Sequence, residues 1–211
     1  VVIAAGVESM TRVPMGLPTT LPLKNNLGFY VSPLMARRYP GVEFSQFTGA
    51  EMIARNYNIE KDALDRYALE SHRRAIEATQ AGRFANEIVP VAARMNDGTE
   101  TGEQHTVDEG IRFDATLESI AAVKLIAEGG RCTAATASQI CDGASGVMVV
   151  NERGLKTLGV KPLARIHHMS VMGHDPVIML EAPLPATQRA LQRAGMKIED
   201  IDLYEVNEAF A

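Results

Sequence analysis

The chain has 211 residues and a mass of 22.9 kDa, enough to bury a real core as one large domain or as two smaller ones. Apolar residues make up 46% and charged residues 22%, the balance of an ordinary globular protein. A net charge of −5, a pI near 5.6 and no Lys/Arg run longer than two argue against a nucleic-acid-binding surface, while leaving room for a few local basic groups to meet one anionic ligand. No apolar run reaches the ~20 residues a membrane span needs. The two cysteines, Cys132 and Cys141, lack CxxC spacing and are too few for a disulfide framework, so they read as reduced thiols of a cytoplasmic protein.

In chain order, Val1–Ala5 is a continuous apolar run closed by Gly6, the pattern of a central parallel strand buried on both faces. It begins without a preceding turn or an initiator Met, which reads as a cut from a longer chain. Residues 11–47 carry Pro14, Pro18, Pro22 and Pro33 and several glycines, an irregular excursion interrupted by a short helix near Pro33–Arg38. Helices follow over Thr48–Asn56 and Lys61–Gln80. The second shows a stripe of Ala63, Leu64, Tyr67, Ala68, Ser71, Ala75 and Ile76, with Gly82 as its stop. EIVPV (87–91) reads as a short edge strand because of Pro90, NDGTETGEQHTVDEG as a polar loop, and residues 114–127 as a helix ended by Gly129-Gly130. Strand and helix then alternate: GVMVVN (146–151), a helix to Gly159, LARIHHMSVMG (163–173), a helix over Ala186–Ala194, and IDLYEV (201–206). That alternation predicts an α/β fold with a mostly helical insertion over about 13–138.

Two places could carry chemistry. Asn207 follows a predicted strand and precedes a predicted helix, where α/β sheets place their ligands. It can cap the helix, aim an amide at a water or oxyanion, or do both. In CTAATASQICDGASGVMVV (132–150), small residues admit a ligand close to the backbone, and Ser138 or Thr136 can bond its polar groups; tight loop packing explains the composition equally. There is no GxxxxGK[ST] phosphate loop. His72 and His105 read as solvated, and His167 and His168 point to opposite faces of a predicted strand, so no HExxH or Cys/His cluster offers a metal site. Each cysteine reads as a buried inert thiol.

AAGVESMTRVPMG (4–16), RFANEIVPV (83–91), TAATASQICDGAS (133–145), GHDPVIMLEAPLPATQRALQRAG (173–195) and DIDLYEVNEAFA (200–211) occur in the order and spacing of the thiolases, so the chain resembles that family across essentially its whole length. The resemblance implies a layered α/β/α/β/α core, present in part. Val1–Arg12 is a strand of the N-terminal half, 13–138 an inserted loop domain, 139–163 the return to that half, and 164–211 the start of the C-terminal half. It also implies acyl transfer between coenzyme A thioesters through an acyl-cysteine. That is thiolytic cleavage of a 3-ketoacyl-CoA or the reverse condensation, with acyl-CoA and CoA as substrates and no permanently bound cofactor. A homodimer or a dimer of dimers is expected.

By the same resemblance, Asn207 holds a water in an oxyanion hole and Ser138 contacts pantetheine. Arg112 lies beside the adenosine end, Ala209 and Phe210 line the pantetheine tunnel, and Met179 lies at the acyl pocket. A solvated loop arginine is an equal reading of Arg112. The family's nucleophilic cysteine falls before residue 1, its activating histidine and second cysteine after residue 211, and Cys132 and Cys141 do not replace them. The 211 residues alone are expected to be inactive. The chain departs from the family's pattern at Ser45-Gln46-Phe47 and at Leu180-Glu181-Ala182-Pro183, both expected near the acyl pocket, which points to a bulkier or polar acyl chain. A non-catalytic thiolase-like protein that binds acyl-CoA or lipid is the alternative.

Overall fold

The computed structural model describes residues 1–211, which divide into two compact units: Val1–Ile53 with Ile140–Val206, and Ala54–Gln139 with Asn207–Ala211.

In the first unit, β1 (Val2–Ser9) and β4 (Asp142–Val149) form an antiparallel pair in register from Val2 opposite Val149 to Ser9 opposite Asp142. The Asp142 carboxylate closes one end. It accepts hydrogen bonds from the Ser9 hydroxyl (3.1 Å) and from the Thr11 backbone N–H (3.0 Å) and hydroxyl (2.5 Å). These donors hold the Asp142 carboxyl below its ordinary pKa. β1 is therefore antiparallel and exposed, contrary to the parallel, buried strand expected from its apolar run. Its one ladder partner is β4, and a two-stranded ribbon covers neither face, so Val7 stays 82% exposed. β4 reaches back to Asp142, four residues before the strand expected from GVMVVN, because pairing with β1 overrides the weak strand preference of Gly143 and Gly146.

The short helix α2 (Pro33–Arg38) is where the sequence puts it, with Pro33 in its first turn and the Ser32 hydroxyl accepting the Met35 N–H. Before it, α1 (Leu17–Lys24) occupies part of the proline-rich excursion and buries none of its residues. α6 (Glu152–Leu158) is capped by Asn151, whose Oδ1 accepts the Gly154 N–H at 2.9 Å, and ends at Gly159 in the left-handed region. α7 (Pro183–Ala194) ends at Gly195, also left-handed. The expected strands 163–173 and 201–206 are irregular, since a strand needs a neighbour to satisfy its backbone and neither segment has one.

In the second unit, α4 (Lys61–Gln80) is the organising element. It buries Leu64 and Ala68 and packs on α5 (Leu117–Ala121), which buries Ile120, and on the 3₁₀ turn Ala134–Thr136. The Lys61 ammonium joins α4 to α5, pairing with Asp65 at 2.6 Å and donating to the Ala121 carbonyl at 3.1 Å. α5 is shorter than the 114–127 helix expected, beginning only after the Thr116 cap and its reciprocal bond with Ser119. α3 (Gln46–Asn56) ends under the Arg131 guanidinium, which donates to the Ala54 carbonyl (2.6 Å) and the Ile59 carbonyl (3.1 Å) and pairs with Glu60 (2.9 Å). The polar loop after Pro90 is in fact a hairpin, β2 (Val91–Arg94) with β3 (Glu100–His105), turned at Asp97-Gly98 with Gly98 at φ 89°. Cys132 is buried as expected, while Cys141 is exposed beside the end of β4 rather than buried.

Candidate functional site

The small-residue segment owes its shape to two threonines. Thr133 and Thr136 are fully and almost fully buried. The Thr136 hydroxyl accepts the Thr133 N–H (2.9 Å) and donates to the Thr133 carbonyl (3.2 Å), closing the 3₁₀ turn upon itself. Thr136 is thus consumed by the turn and does not offer itself to a ligand, whereas Ser138, two residues on, is exposed.

This turn is the platform for the last five residues. The Ser138 N–H donates to the Ala209 carbonyl (3.0 Å), the Ala211 N–H donates to the Thr136 carbonyl (2.8 Å), and Ala137 bridges Phe210 in antiparallel fashion. Ser138, Ala209 and Phe210, separated by seventy residues of sequence, are brought into one short two-stranded contact. The backbone of 209–211 pairs with the 136–138 segment, and residues 207–211 carry no helical turn. Asn207 is exposed, next to Glu208, whose carboxylate accepts the Tyr67 hydroxyl (3.0 Å) and the Ser71 hydroxyl (2.5 Å). Glu208 and burial together raise the Tyr67 phenol above its ordinary pKa, the hydrogen bond to the carboxylate contributing most.

α4 also places Arg112. His72 is half-buried rather than solvated, and its Nδ1 accepts the Arg112 backbone N–H at 3.3 Å. The Gln139 side chain donates to the Gly110 carbonyl, tying the same loop to the segment that carries Ser138. The Arg112 guanidinium is left exposed at the loop surface, available to a phosphate or an aromatic ring. Four of the expected residues (Arg112, Ser138, Ala209 and Phe210), with Asn207 beside them, therefore share one scaffold of α4, the threonine turn and the 207–211 segment.

Met179 lies in the first unit, on a tight turn. The Asp175 carboxylate accepts the Val177 and Ile178 N–H groups (2.8 and 3.2 Å), and the Met179 N–H donates to the Asp175 carbonyl (2.9 Å). Met179 itself sits at φ 33°, a region that side chains other than glycine's avoid. His174 and Glu181 bracket the turn with an Nε2–Oε2 contact of 3.3 Å. The turn lies against α3 at Gly49, where an added Cβ would stand 2.7 Å from the Ile178 carbonyl oxygen and 3.6 Å from Met179 Cγ. Residues 45–47 at the start of α3 and 180–183 after the Met179 turn thus adjoin the Gly49–Ile178 contact in sequence.

Sequence reasoning missed Glu208, its two hydroxyl anchors, His72 as an acceptor, and Gly49. Tyr67 and Ser71 were visible as polar members of an apolar stripe four residues apart, which is the one signal that could have found them.

Residues 1–153 match the family description "Thiolase, N-terminal domain", and residues 160–211 match "Thiolase, C-terminal domain". The chain belongs to the thiolase family. It is 45% identical over 216 residues to the steroid 3-ketoacyl-CoA thiolase FadA6 of Mycobacterium tuberculosis, covering 100% of this chain and 50% of that protein. It is 41% identical over 208 residues to the 3-ketoacyl-CoA thiolase of Serratia proteamaculans, covering 98% and 51%. Among solved structures, human mitochondrial 3-ketoacyl-CoA thiolase superposes with a TM-score of 0.77 at 31% identity, covering 99% of this chain and 53% of that one. The acetyl-CoA acetyltransferase of Syntrophomonas wolfei gives 0.76 at 31%, covering 99% and 52%. The α/β class read from the sequence is therefore the thiolase fold. This thiolase chain spans about half the length of the curated relatives it matches. None of its helices is long and apolar enough to cross a membrane.

Proposed function

We propose that the protein carrying this chain is an acyl-CoA acyltransferase that cleaves a 3-ketoacyl-CoA with coenzyme A, giving acetyl-CoA and a shortened acyl-CoA, or runs the reverse condensation. The observation that supports it is the joining of 136–138 to 209–211, which presents Ser138, Ala209 and Phe210 together with Asn207 at their edge. In this reading Asn207 holds the water of an oxyanion hole, where a neutral amide stabilises charge that develops on a thioester oxygen. Ser138, Ala209 and Phe210 line the pantetheine arm, the exposed Arg112 meets the adenosine end, and Met179 borders the acyl group. Residues 1–12 and 139–163 belong to the first thiolase half, 13–138 to its loop domain, and 164–211 to the second half.

The acyl-cysteine chemistry requires a nucleophilic cysteine, an activating histidine and a second cysteine, and none of the present residues is assigned those roles. The similarity to a steroid 3-ketoacyl-CoA thiolase, and the Leu180-Glu181-Ala182 stretch on the Met179 turn, favour a degradative enzyme for a bulky or polar acyl chain. Two cysteines outside any disulfide fit a cytoplasmic enzyme, and an oligomer of two or four subunits is expected. The test is CoA-dependent thiolysis by the whole gene product, with acetoacetyl-CoA and with longer and ring-bearing 3-ketoacyl-CoAs. Turnover of any of them supports the reading; saturable acyl-CoA binding without turnover replaces it with a carrier function.

A further inference from the structure

The residue next to Asn207 is held in an unusual way. The Glu208 carboxylate meets two hydroxyls, Tyr67 on Oε1 at 3.0 Å and Ser71 on Oε2 at 2.5 Å. The donors come from successive turns of α4, four residues apart on one helix face, so together they make a fork matched to the two oxygens of one carboxylate. An ionised carboxylate accepts only, and hydroxyl bonds to a charged acceptor are the stronger kind. On the far side of Glu208, the Ala209 carbonyl and Ala211 N–H are tied to Ser138 and Thr136. The anchors thus fall on the residues that follow Asn207, whose own side chain remains exposed.

We infer that Tyr67, Ser71 and Glu208 form a positioning device that fixes the direction of the Asn207 amide from the side of α4. The inference rests on the role given to Asn207 above and adds to it. An oxyanion-hole group works only if it is aimed before charge develops, and a side chain as short as asparagine's inherits its aim from the backbone. Locking the next residue's carboxylate to a 20-residue helix supplies that aim without placing any anchor atom on the substrate. Glu208, Tyr67 and Ser71 are accordingly not catalytic residues, and their loss acts through Asn207.

The experiment is steady-state thiolysis by the whole gene product in four forms: unaltered, Tyr67→Phe/Ser71→Ala, Glu208→Gln and Ser71→Thr. The double variant and Glu208→Gln are expected to lose roughly 10- to 100-fold in kcat with KM for the acyl-CoA nearly unchanged, the signature of a misplaced transition-state group. Ser71→Thr, which keeps the hydroxyl, is expected to retain turnover. A role confined to folding would instead lower the fraction of active sites and the melting temperature while leaving kcat per active site intact, and that result overturns the inference. So does unchanged kcat in the double variant when the unaltered protein turns over. An unaltered protein with no thiolysis overturns the acyl-transfer reading and this inference with it, which separates the two failures. The contact has its own readout in the ultraviolet titration of tyrosine. The phenol lost in Tyr67→Phe should ionise above the ordinary tyrosine range in the unaltered protein and move back toward it in Glu208→Gln; no difference between those two titrations refutes the anchor itself.

Discussion

Replacing Gly49 by alanine sets two well-characterised effects against each other. In a helix interior, alanine is favoured over glycine by about 1 kcal/mol. At Gly49 the new Cβ would stand 2.7 Å from the Ile178 carbonyl oxygen and 3.4 Å from its carbon, distances that require backbone to move. That backbone is not free to yield: Ile178 is buried, its N–H is held by Asp175, and the next residue already sits at φ 33°. Overpacking of this kind costs about 1–3 kcal/mol. The upper part of that range applies, so the net effect is a loss of about 1–2 kcal/mol, or roughly 2–8 °C in melting temperature for a chain of this size.

Gly154 on α6 is the internal control. Its added Cβ meets the Val1 Cγ2 methyl at 3.1 Å, the end of a side chain that can swing aside, so Gly154→Ala is expected to be neutral or to gain up to about 1 kcal/mol. Thermal unfolding of the two variants by circular dichroism makes the comparison. Equal shifts of the same sign in Gly49→Ala and Gly154→Ala would refute the claim that the Met179 turn is rigid against α3.

Asp142→Asn removes a carboxylate whose pKa is depressed by Thr11 and Ser9, so its contribution is present at neutral pH and lost as pH falls through the folded-state value. The difference in melting temperature between Asp142→Asn and the unaltered protein should therefore be largest at pH above the ordinary carboxylate range and shrink as pH falls below that range; a difference independent of pH would contradict this. Arg131→Met is expected to destabilise by roughly 2–4 kcal/mol, because it leaves the part-buried Ala54 and Ile59 carbonyls without their charged donor, and denaturant unfolding measures it. Gly98→Val should unravel the β2–β3 turn, since Gly98 lies at φ 89°, and loss of hydrogen-exchange protection restricted to 91–105 would show it.

The sequence was most legible where local rules and packing agree. α4 begins and ends where its stripe and Gly82 place it, and α2 is delimited by Ser32 and Pro33, because caps and prolines act within a few residues. The β2–β3 hairpin was missed although Asp97-Gly98 is a strong turn signal; its strands are polar on both faces and give no alternation to read. Strand readings failed for 163–173 and 201–206 because apolar composition says that a segment can pair, not that a partner is there. The sites divide the same way. Ser138 and Phe210 could be named from motifs, but their joining through backbone hydrogen bonds could not, and Thr136 lost its candidacy only once its hydroxyl was found inside the turn. Glu208's fork pairs residues 137 and 141 positions apart, a relation carried by no local pattern.

The central claim is that this thiolase chain supplies the oxyanion-hole amide of an acyl-transfer enzyme. Its most direct test is thiolysis of a 3-ketoacyl-CoA by the whole gene product and by its Asn207→Ala variant. The account predicts CoA-dependent turnover in the first and a kcat lower by about 10²–10³-fold in the second, with acyl-CoA binding preserved. Equal turnover by both proteins would contradict it.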